Sequence, residues 1–134
     1  MRSAQEGEIR EVTRRWADRF NARDAAALTA LYDLDAVLWG TLSPEIISTF
    51  VGVKGYFDSA CTSPMALTVV FDKEVVRPCE DIMLNSGSYT FTFVRDGQQQ
   101  QFPARFSMVF RKRGGQWLIV DHHSSAKPQA PKAQ

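Results

Sequence analysis

The sequence predicts an α+β domain whose helices pack on one face of a mostly antiparallel sheet. Three observations lead to this prediction. Apolar residues recur at helical spacing in the first half of the chain, apolar and polar residues alternate in the second half, and turn sequences separate the alternating runs. The chain has 134 residues, of which 44% are hydrophobic. This length and composition suit one compact domain with a single core.

Three helices are predicted in the first half of the chain. The apolar stripe of the first helix has members three or four residues apart: Ile9, Val12, Trp16 and Phe20. Asp24 is a good N-cap for a short second helix, because its carboxylate can accept a free backbone N–H. Leu31 and Tyr32 would lie on the apolar side of that helix. The run 52–61 repeats apolar residues at helical spacing and predicts the third helix.

The remaining runs predict strands joined by tight turns. The predicted strands are 36–39, which lies between the second and third helices, and then 67–71, 82–95, 102–111 and 116–123. Asp96-Gly97 is a strong hairpin signal, and Gly114-Gly115 predicts a second tight turn. Strands joined by such turns are antiparallel neighbours, so most of the sheet should be antiparallel.

The composition argues against several classes of partner. The formal net charge is +1, whereas a nucleic-acid surface needs clustered basic charge, so we expect no nucleic-acid partner. No apolar run approaches the ~20 residues that span a bilayer, so we expect no membrane partner. Residues 1–15 contain no apolar stretch of the signal-peptide kind, and two cysteines are few for a secreted disulfide framework. We therefore expect a cytoplasmic protein.

The end of the last predicted strand carries the candidate catalytic groups. Histidine titrates near neutral pH and suits proton transfer, so His122 or Asp121 could act as an acid or base. Strict alternation would place His122 and Ser124 on one face, and Trp117, Asp121 and His123 on the other. Because the two histidines then point apart and no other histidine exists, we expect no metal site. A histidine that is merely hydrogen-bonded at a strand end is an equally open interpretation.

Other candidate site residues lie on earlier elements. Arg105 stands in an otherwise apolar strand, and a buried guanidinium needs a carboxylate or an acidic ligand. A salt bridge to Asp121 and an anion-binding role are both open. Trp39 ends a short strand and Tyr56 follows a long loop, where both could line the mouth of a pocket. No glycine-rich phosphate loop is present, and we expect no cofactor.

Several motifs together carry a resemblance to a known family. They are Asn21-Ala22-Arg23-Asp24, Val51-Gly52-Val53-Lys54-Gly55-Tyr56-Phe57 and Gly115-Gln116-Trp117-Leu118-Ile119-Val120-Asp121-His122-His123-Ser124. Over roughly residues 3–126, the chain resembles the nuclear transport factor 2-like superfamily and looks most like its bacterial SnoaL-like members. It is also similar to the association domain of calcium/calmodulin-dependent protein kinase II.

The resemblance implies a cone-shaped α+β fold. Three helices in the N-terminal half would pack on a strongly curved, mostly antiparallel sheet, with a cavity at the open end of the cone and a homodimer formed through the sheet. Residues 1–126 would form a single domain. The segment 127–134 contains prolines and no large apolar residue, and we expect it to be a disordered tail.

The same resemblance suggests positions for the cavity wall. The association domain has an arginine-rich pocket, and three of its arginine positions correspond here to Thr90, Met108 and Ser124, while a pocket histidine corresponds to Tyr56. The isomerases and cyclases of the superfamily use an aspartate or histidine for proton transfer, which implies Asp121 or His122. The predicted ligand-binding residues are Trp39, Tyr56, Thr90, Arg105, Met108, His122 and Ser124.

Three functions are therefore open. The first is a homodimeric domain that binds an unidentified carboxylate- or carbonyl-bearing small molecule in a partly apolar pocket. The second is a cofactor-independent enzyme of the isomerase or cyclase type, in which His122 or Asp121 transfers a proton. The third is an oligomerisation module similar to the kinase association domain. The fold alone does not decide among them, because this superfamily hosts enzymes, binders and assembly domains.

Overall fold

A computed structural model describes residues 2–129 of the chain, with three helices and five strands in that span. The elements are α1 (Arg2–Asn21), α2 (Ala25–Thr29), β1 (Tyr32–Trp39), α3 (Phe50–Cys61), β2 (Thr68–Cys79), β3 (Ile82–Arg95), β4 (Gln98–Arg113) and β5 (Gln116–Ala126). This arrangement confirms the α+β class. No helix in the described span is long and apolar enough to cross a membrane. Most of the predicted tail, residues 130–134, lies outside the described residues.

The helices begin and end where the local sequence favours it, with one exception. The predicted stripe of α1 is buried, with Trp16 2% exposed. Asp24 caps α2 by accepting the backbone N–H of Ala27 at 3.1 Å. The expectation that Leu31 and Tyr32 lie on α2 is wrong, because α2 ends at Thr29 and Tyr32 begins β1. The carbonyl of Leu31 accepts the backbone N–H of Ile119 at 2.9 Å, so pairing with β5 begins where the helix ends.

The five strands form one sheet in the order β1-β5-β4-β3-β2. β1 runs parallel to β5, and the other neighbours are antiparallel. Both predicted turns are present, with φ of 52° and 75° at Asp96 and Gly97 and of 59° and 81° at Gly114 and Gly115. These positive values are those of the tight turns whose twist matches paired strands. The strands β1, β2, β4 and β5 are longer than predicted.

A β-bulge at Val120 decides which side chains of β5 face the helices. Ile119 lies opposite Phe110 and Asp121 lies opposite Val109, so Val120 is an extra residue on β5. Because of this residue, the alternation shifts by one position. Trp117, Ile119, His122 and Ser124 are all buried, whereas Asp121 and His123 are exposed. The predicted grouping of His123 and Asp121 with Trp117 is therefore wrong.

The helices cover one face of the sheet, here called the inner face, and the other face is the outer face. The core lies between α1, α3 and the inner face. Trp16 stacks on Phe20 with ring centroids 5.2 Å apart and meets the edges of Phe57 and Phe71 at 6.0 and 5.8 Å. These rings fill one end of the core, and those of Trp16, Phe20 and Phe57 form part of the wall of the cavity described next.

Candidate functional site

A cavity of about 190 Å³ lies between the helices and the inner face, near the ends of β1, β3 and β5. Its wall is mainly apolar and aromatic, and includes Trp16, Phe57, Phe91 and Phe102. Its polar groups are concentrated near Thr41, Tyr56, His122 and Ser124, and Arg95 lines it from the end of β3. Such a cavity, apolar with a few grouped polar side chains, is the usual form of a small-molecule site.

Six side chains form a continuous series of hydrogen bonds that ends at the cavity. In order they are Trp16, Tyr32, His122, Tyr89, Ser124 and Thr41, and we call them the hydroxyl chain. Trp16 Nε1 lies 2.9 Å from Tyr32 Oη, and Tyr32 Oη lies 2.7 Å from His122 Nδ1. Beyond the imidazole, His122 Nε2 lies 3.2 Å from Tyr89 Oη. Ser124 Oγ then lies 2.5 Å from both Tyr89 Oη and Thr41 Oγ1.

The hydrogens of the first half of this chain have one consistent arrangement. The indole of Trp16 can only donate, so its N–H is directed at Tyr32 Oη. The hydroxyl hydrogen of Tyr32 then has one acceptor among the described residues, His122 Nδ1. A neutral imidazole that accepts at Nδ1 carries its hydrogen on Nε2. His122 therefore donates through Nε2 to Tyr89 Oη.

The hydrogens in the second half of the hydroxyl chain also have one consistent arrangement. Because Tyr89 accepts from His122, its own hydrogen goes to Ser124 Oγ. The hydrogen of Ser124 then goes to Thr41 Oγ1. The Thr41 hydroxyl accepts this bond, and its own hydrogen has no acceptor among residues 2–129. Every hydrogen bond of the hydroxyl chain thus points away from Trp16 and towards Thr41. Thr41 lines the cavity, and its hydroxyl hydrogen is left without a partner in residues 2–129.

Burial keeps every member of the hydroxyl chain uncharged at neutral pH. Burial, with a smaller contribution from repulsion by His123, lowers the pKa of His122 to about 3. Burial also raises the pKa of Tyr32 well above its usual value and raises the pKa of Tyr89. Both ring nitrogens of His122 are occupied by tyrosine hydroxyls, so neither is free to reach a molecule in the cavity.

Tyr56 forms a second polar part of the cavity wall. Its ring lies against Gly40, where an added Cβ would overlap the ring, so a larger residue at this position would displace Tyr56. Its hydroxyl oxygen accepts the backbone N–H of Leu42 at 3.4 Å. Burial raises the pKa of Tyr56, so the hydroxyl keeps its hydrogen at neutral pH.

The structure brings three of the predicted site residues to the cavity: Tyr56, His122 and Ser124. Met108 faces the inner side but is buried in the core and does not line the cavity. Trp39 and Thr90 lie on the outer face, contrary to expectation. Trp39 is adjacent to Leu38, which lines the cavity, and its ring instead lies 6.4 Å from that of His123. Thr90 donates a hydrogen bond to Asp72 at 2.7 Å.

The expectation that Arg105 is buried is wrong. Its strand neighbours Ala104 and Phe106 are buried on the inner face, so Arg105 points outward and is exposed. It lies opposite Ser125, whereas Asp121 lies opposite Val109, so the expected pairing of Arg105 with Asp121 is not made. Asp121 itself is exposed on the outer face, away from the cavity.

Sequence reasoning missed the residues that complete the site: Trp16, Tyr32, Thr41, Tyr89 and Arg95. Arg95 had a readable signal, because it has the same strand parity as Phe91 and Phe93. Its guanidinium lies 5.3 Å from the ring centroid of Phe93. The partnership of Tyr32 with His122 joins residues 90 positions apart and has no local signal.

A second polar cluster lies near the other end of β1. It consists of Asp33, Asp35, Arg111 and Arg113, and we call it the arginine cluster. Asp33 Oδ2 accepts hydrogen bonds from Arg113 Nε at 3.0 Å and Arg111 Nη2 at 3.3 Å. Burial raises the pKa of Asp33. Hydrogen bonds from Arg113, Asp35 and Arg111 outweigh this effect of burial and lower the pKa to about 2.

Comparison with known proteins gives one sequence match and many structural ones. A family model described as a SnoaL-like domain matches residues 9–129. No curated protein matches the chain. A candidate calcium/calmodulin-dependent protein kinase II association domain from Xanthomonas campestris is 30% identical, with a TM-score of 0.82 over 92% of this chain and 88% of that chain.

Two further structures share the fold at lower identity. The association domain of C. elegans calcium/calmodulin-dependent protein kinase II is 22% identical, with a TM-score of 0.76 over 92% of this chain and 97% of that chain. A candidate dehydratase of the nuclear transport factor 2-like family from Streptomyces avermitilis is 14% identical, with a TM-score of 0.84 over 95% and 99% of the two chains. These findings confirm the predicted resemblance to the nuclear transport factor 2-like superfamily.

Proposed function

This chain belongs to the SnoaL-like family, and we propose that it is a homodimeric domain that binds a small, mostly apolar molecule in the cavity at the ends of β1, β3 and β5. The observation that carries the proposal is the combination of an aromatic wall with a hydroxyl group at the end of a buried hydrogen-bond chain. A cytoplasmic location stays a prediction from the composition.

The volume of the cavity limits the size of the ligand. An apolar cavity of about 150 Å³ in another protein accommodates benzene, and this cavity has a volume of about 190 Å³. The matching ligand is therefore a single ring with a short substituent. Its ring would contact Trp16 and Phe91, and its polar group would meet Thr41, Tyr56 or Ser124.

Of the residues predicted from the sequence, Tyr56 and Ser124 are the best supported as ligand contacts. Both line the cavity with hydroxyl groups. His122 would act through Tyr89 and Ser124, because both of its ring nitrogens already have partners. Direct contact by Trp39, Thr90, Arg105 or Met108 has no support from their positions.

The outer face supports the homodimer. It presents exposed apolar side chains on edge strands, including Val70, Val75 and Trp39. Its central strand, β4, presents the small side chain of Ser107, which would allow two sheets to approach each other. The relatives named association domains are consistent with self-association.

The enzyme hypothesis has less support in the form predicted. Asp121 is on the outer face, and His122 is 2% exposed with both nitrogens bonded. A low pKa of about 3 also makes His122 a weak base. The hypothesis of an assembly module needs an oligomer larger than a dimer, which the measurement of oligomeric state below would reveal.

Cavity filling tests the binding proposal. Ala60 lines the cavity from α3, and its neighbour Ser59 is exposed to solvent. Ala60→Leu should abolish binding of ethylbenzene, used as an apolar probe in titrations followed by nuclear magnetic resonance, whereas Ser59→Leu should leave binding unchanged. Lack of ethylbenzene binding by the unmodified protein would contradict the proposal.

A charge at the centre of the outer face tests the homodimer. Ser107→Glu would place two like charges close together across a two-fold interface. We expect this variant to be monomeric in size-exclusion chromatography with light scattering, while Ser59→Glu on α3 stays dimeric. A dimer in both variants would contradict an interface through the sheet, and a larger oligomer of the unmodified protein would favour the assembly function.

A further inference from the structure

We infer that the cavity selects an uncharged hydrogen-bond acceptor, such as the carbonyl of a small monocyclic ketone, and not a carboxylate. This inference rests on the proposed function and specifies the chemistry of its ligand. It depends on the direction of the hydroxyl chain, which begins at a residue that can only donate, Trp16, and ends at Thr41 on the cavity wall.

Because the hydroxyl chain runs towards the cavity, the groups at its cavity end have hydrogens left to donate, while their oxygens already accept hydrogen bonds. The oxygens of Tyr89, Ser124 and Thr41 each accept one hydrogen bond already. The hydrogen of Thr41 has no acceptor within the described span, and neither does that of Tyr56, whose oxygen accepts from Leu42. A ligand acceptor would satisfy a group that is otherwise unpaired, whereas a ligand donor would satisfy none of these hydrogens.

Successive hydrogen bonds strengthen the terminal donor. In a series of bonds that all point the same way, each bond polarises the next. The series here passes through the imidazole of His122 and two buried hydroxyls before it reaches Thr41. The Thr41 hydroxyl should therefore be a better donor than an isolated threonine.

The charge distribution excludes a carboxylate from this end of the cavity. Burying an ionised carboxylate is unfavourable unless a buried partner neutralises it. Arg95 is the charged residue that lines the cavity within the described span, but it is exposed and its guanidinium lies over Phe93. His122 is neutral because burial keeps its imidazole from gaining a proton. The hydroxyl end thus offers donors without a positive charge.

Three probes of similar shape separate the possibilities. Acetophenone has a neutral carbonyl acceptor, ethylbenzene has the same ring without an acceptor, and benzoate carries the charge. The added hydrogen bond should make acetophenone bind roughly fivefold more tightly than ethylbenzene, and benzoate should bind most weakly. Equal affinities for the first two probes, or tightest binding of benzoate, would overturn the inference.

A double variant tests whether the hydroxyl chain causes the preference. Thr41→Val with Ser124→Ala removes the two hydroxyls at the cavity end. The preference for acetophenone should fall clearly below that of the unmodified protein, because only the Tyr56 hydroxyl then keeps its free hydrogen at the cavity, while ethylbenzene keeps its affinity. The matched control is Thr90→Val with Ser107→Ala, which makes the same chemical changes on the outer face and should retain the full preference. An undiminished preference in the first variant would overturn the inference.

The direction of the chain has a signature that does not depend on any ligand. The protein contains two histidines, so ¹⁵N labelling of histidine gives two sets of ring signals. The substitution His123→Gln shows which set belongs to His122. His122 should show the neutral form with its hydrogen on Nε2. A hydrogen on Nδ1 would overturn the inference even if ketones bind. Failure of ethylbenzene to bind would instead contradict the proposed function.

Discussion

The hydroxyl chain and the arginine cluster each include one of two adjacent residues of β1, Tyr32 and Asp33, yet they stabilise buried polar atoms in opposite ways. Tyr32 points into the core and belongs to a series of uncharged groups in which each hydrogen has an assigned acceptor up to Thr41. Asp33 is also buried, but it keeps its charge because Arg111 and Arg113 are 41% and 58% exposed. The buried polar groups of these two clusters are thus either neutral with matched partners or charged with partners that reach solvent.

The sharpest way to break this difference is to insert one alanine between Asp121 and His122. The insertion leaves the bulge in place, and a one-residue slip in a strand moves the side chains beyond it to the opposite face. His122 and Ser124 would leave the core, and the hydroxyl chain would be lost. We expect the variant not to fold, a loss above about 5 kcal/mol, the low end of the stability of a domain.

Circular dichroism in the aromatic region measures this loss of fold. The control is insertion of one alanine between Pro128 and Gln129, beyond the last strand, which should leave the spectrum unchanged. A folded variant with alanine inserted before His122 and with His122 still buried would contradict the assigned alternation of β5.

The next largest effect is the dependence of stability on pH. The pKa of His122 is about 3 in the folded protein and about 6.5 in the unfolded chain. Because the unfolded state binds more protons between these values, the free energy of unfolding should fall as pH drops from about 6.5 towards 3. The full contribution of His122 over this range is of the order of 5 kcal/mol.

Chemical denaturation at a series of pH values checks this dependence. His122→Gln should flatten the decline between pH 6.5 and 4.5, whereas His123→Gln should leave it in place. Asp33 affects a lower range, because its pKa of about 2 lies below the unfolded value and its contribution is lost as pH falls below about 4. An equally steep decline in His122→Gln would show that another group is responsible.

Removal of one hydroxyl from the neutral chain should have a smaller effect. Tyr32→Phe leaves the Trp16 N–H without an acceptor and His122 Nδ1 without a donor. Each unpaired buried group costs about 1–3 kcal/mol, so we expect a total loss of about 2–6 kcal/mol in thermal or chemical denaturation. Tyr56→Phe, which removes a hydroxyl with one long hydrogen bond at 3.4 Å, should cost less than about 1 kcal/mol. Equal losses in the two variants would contradict the role of Tyr32.

The smallest effect is expected in the arginine cluster. Asp33→Asn removes a buried charge, but the two arginines that remain can be hydrated because they are partly exposed. We therefore expect a loss of about 1–2 kcal/mol, well below the cost of leaving a fully buried charge unpaired. Asp35→Asn, whose side chain is 67% exposed, should cost less than about 0.5 kcal/mol in the same denaturation experiment. A larger loss for Asp35→Asn would reverse the assigned importance of the two carboxylates.

The difference between the two clusters also explains what the sequence could reveal. The stripe of α1, the cap at Asp24 and the glycine turns depend on neighbouring residues, so they could be predicted from local patterns. The outward direction of Arg105 was also readable, because Ala104 and Phe106 have the opposite parity in the same strand. The apolar composition of the strand instead suggested that the Arg105 guanidinium is buried.

The rest of the site depends on contacts between distant parts of the chain. The bulge at Val120 is set by how β5 pairs with both β4 and β1, and no residue type marks it in the sequence. The hydroxyl chain joins α1, β1, β3 and β5 with the loop that carries Thr41. Its members are ordinary core aromatics and small polar residues when they are read locally. Only the fold shows that their polar atoms meet.

The position of Trp16 in the cavity wall gives the protein an intrinsic optical signal. The fluorescence of an indole responds to the polarity and the quenching groups around it, and the ring of Trp16 lines the cavity while its N–H is held by Tyr32. The other two tryptophans, Trp39 and Trp117, do not line the cavity. With both replaced by phenylalanine, the emission would come from Trp16 alone. Occupancy could then be followed in real time, without a dye or an attached label.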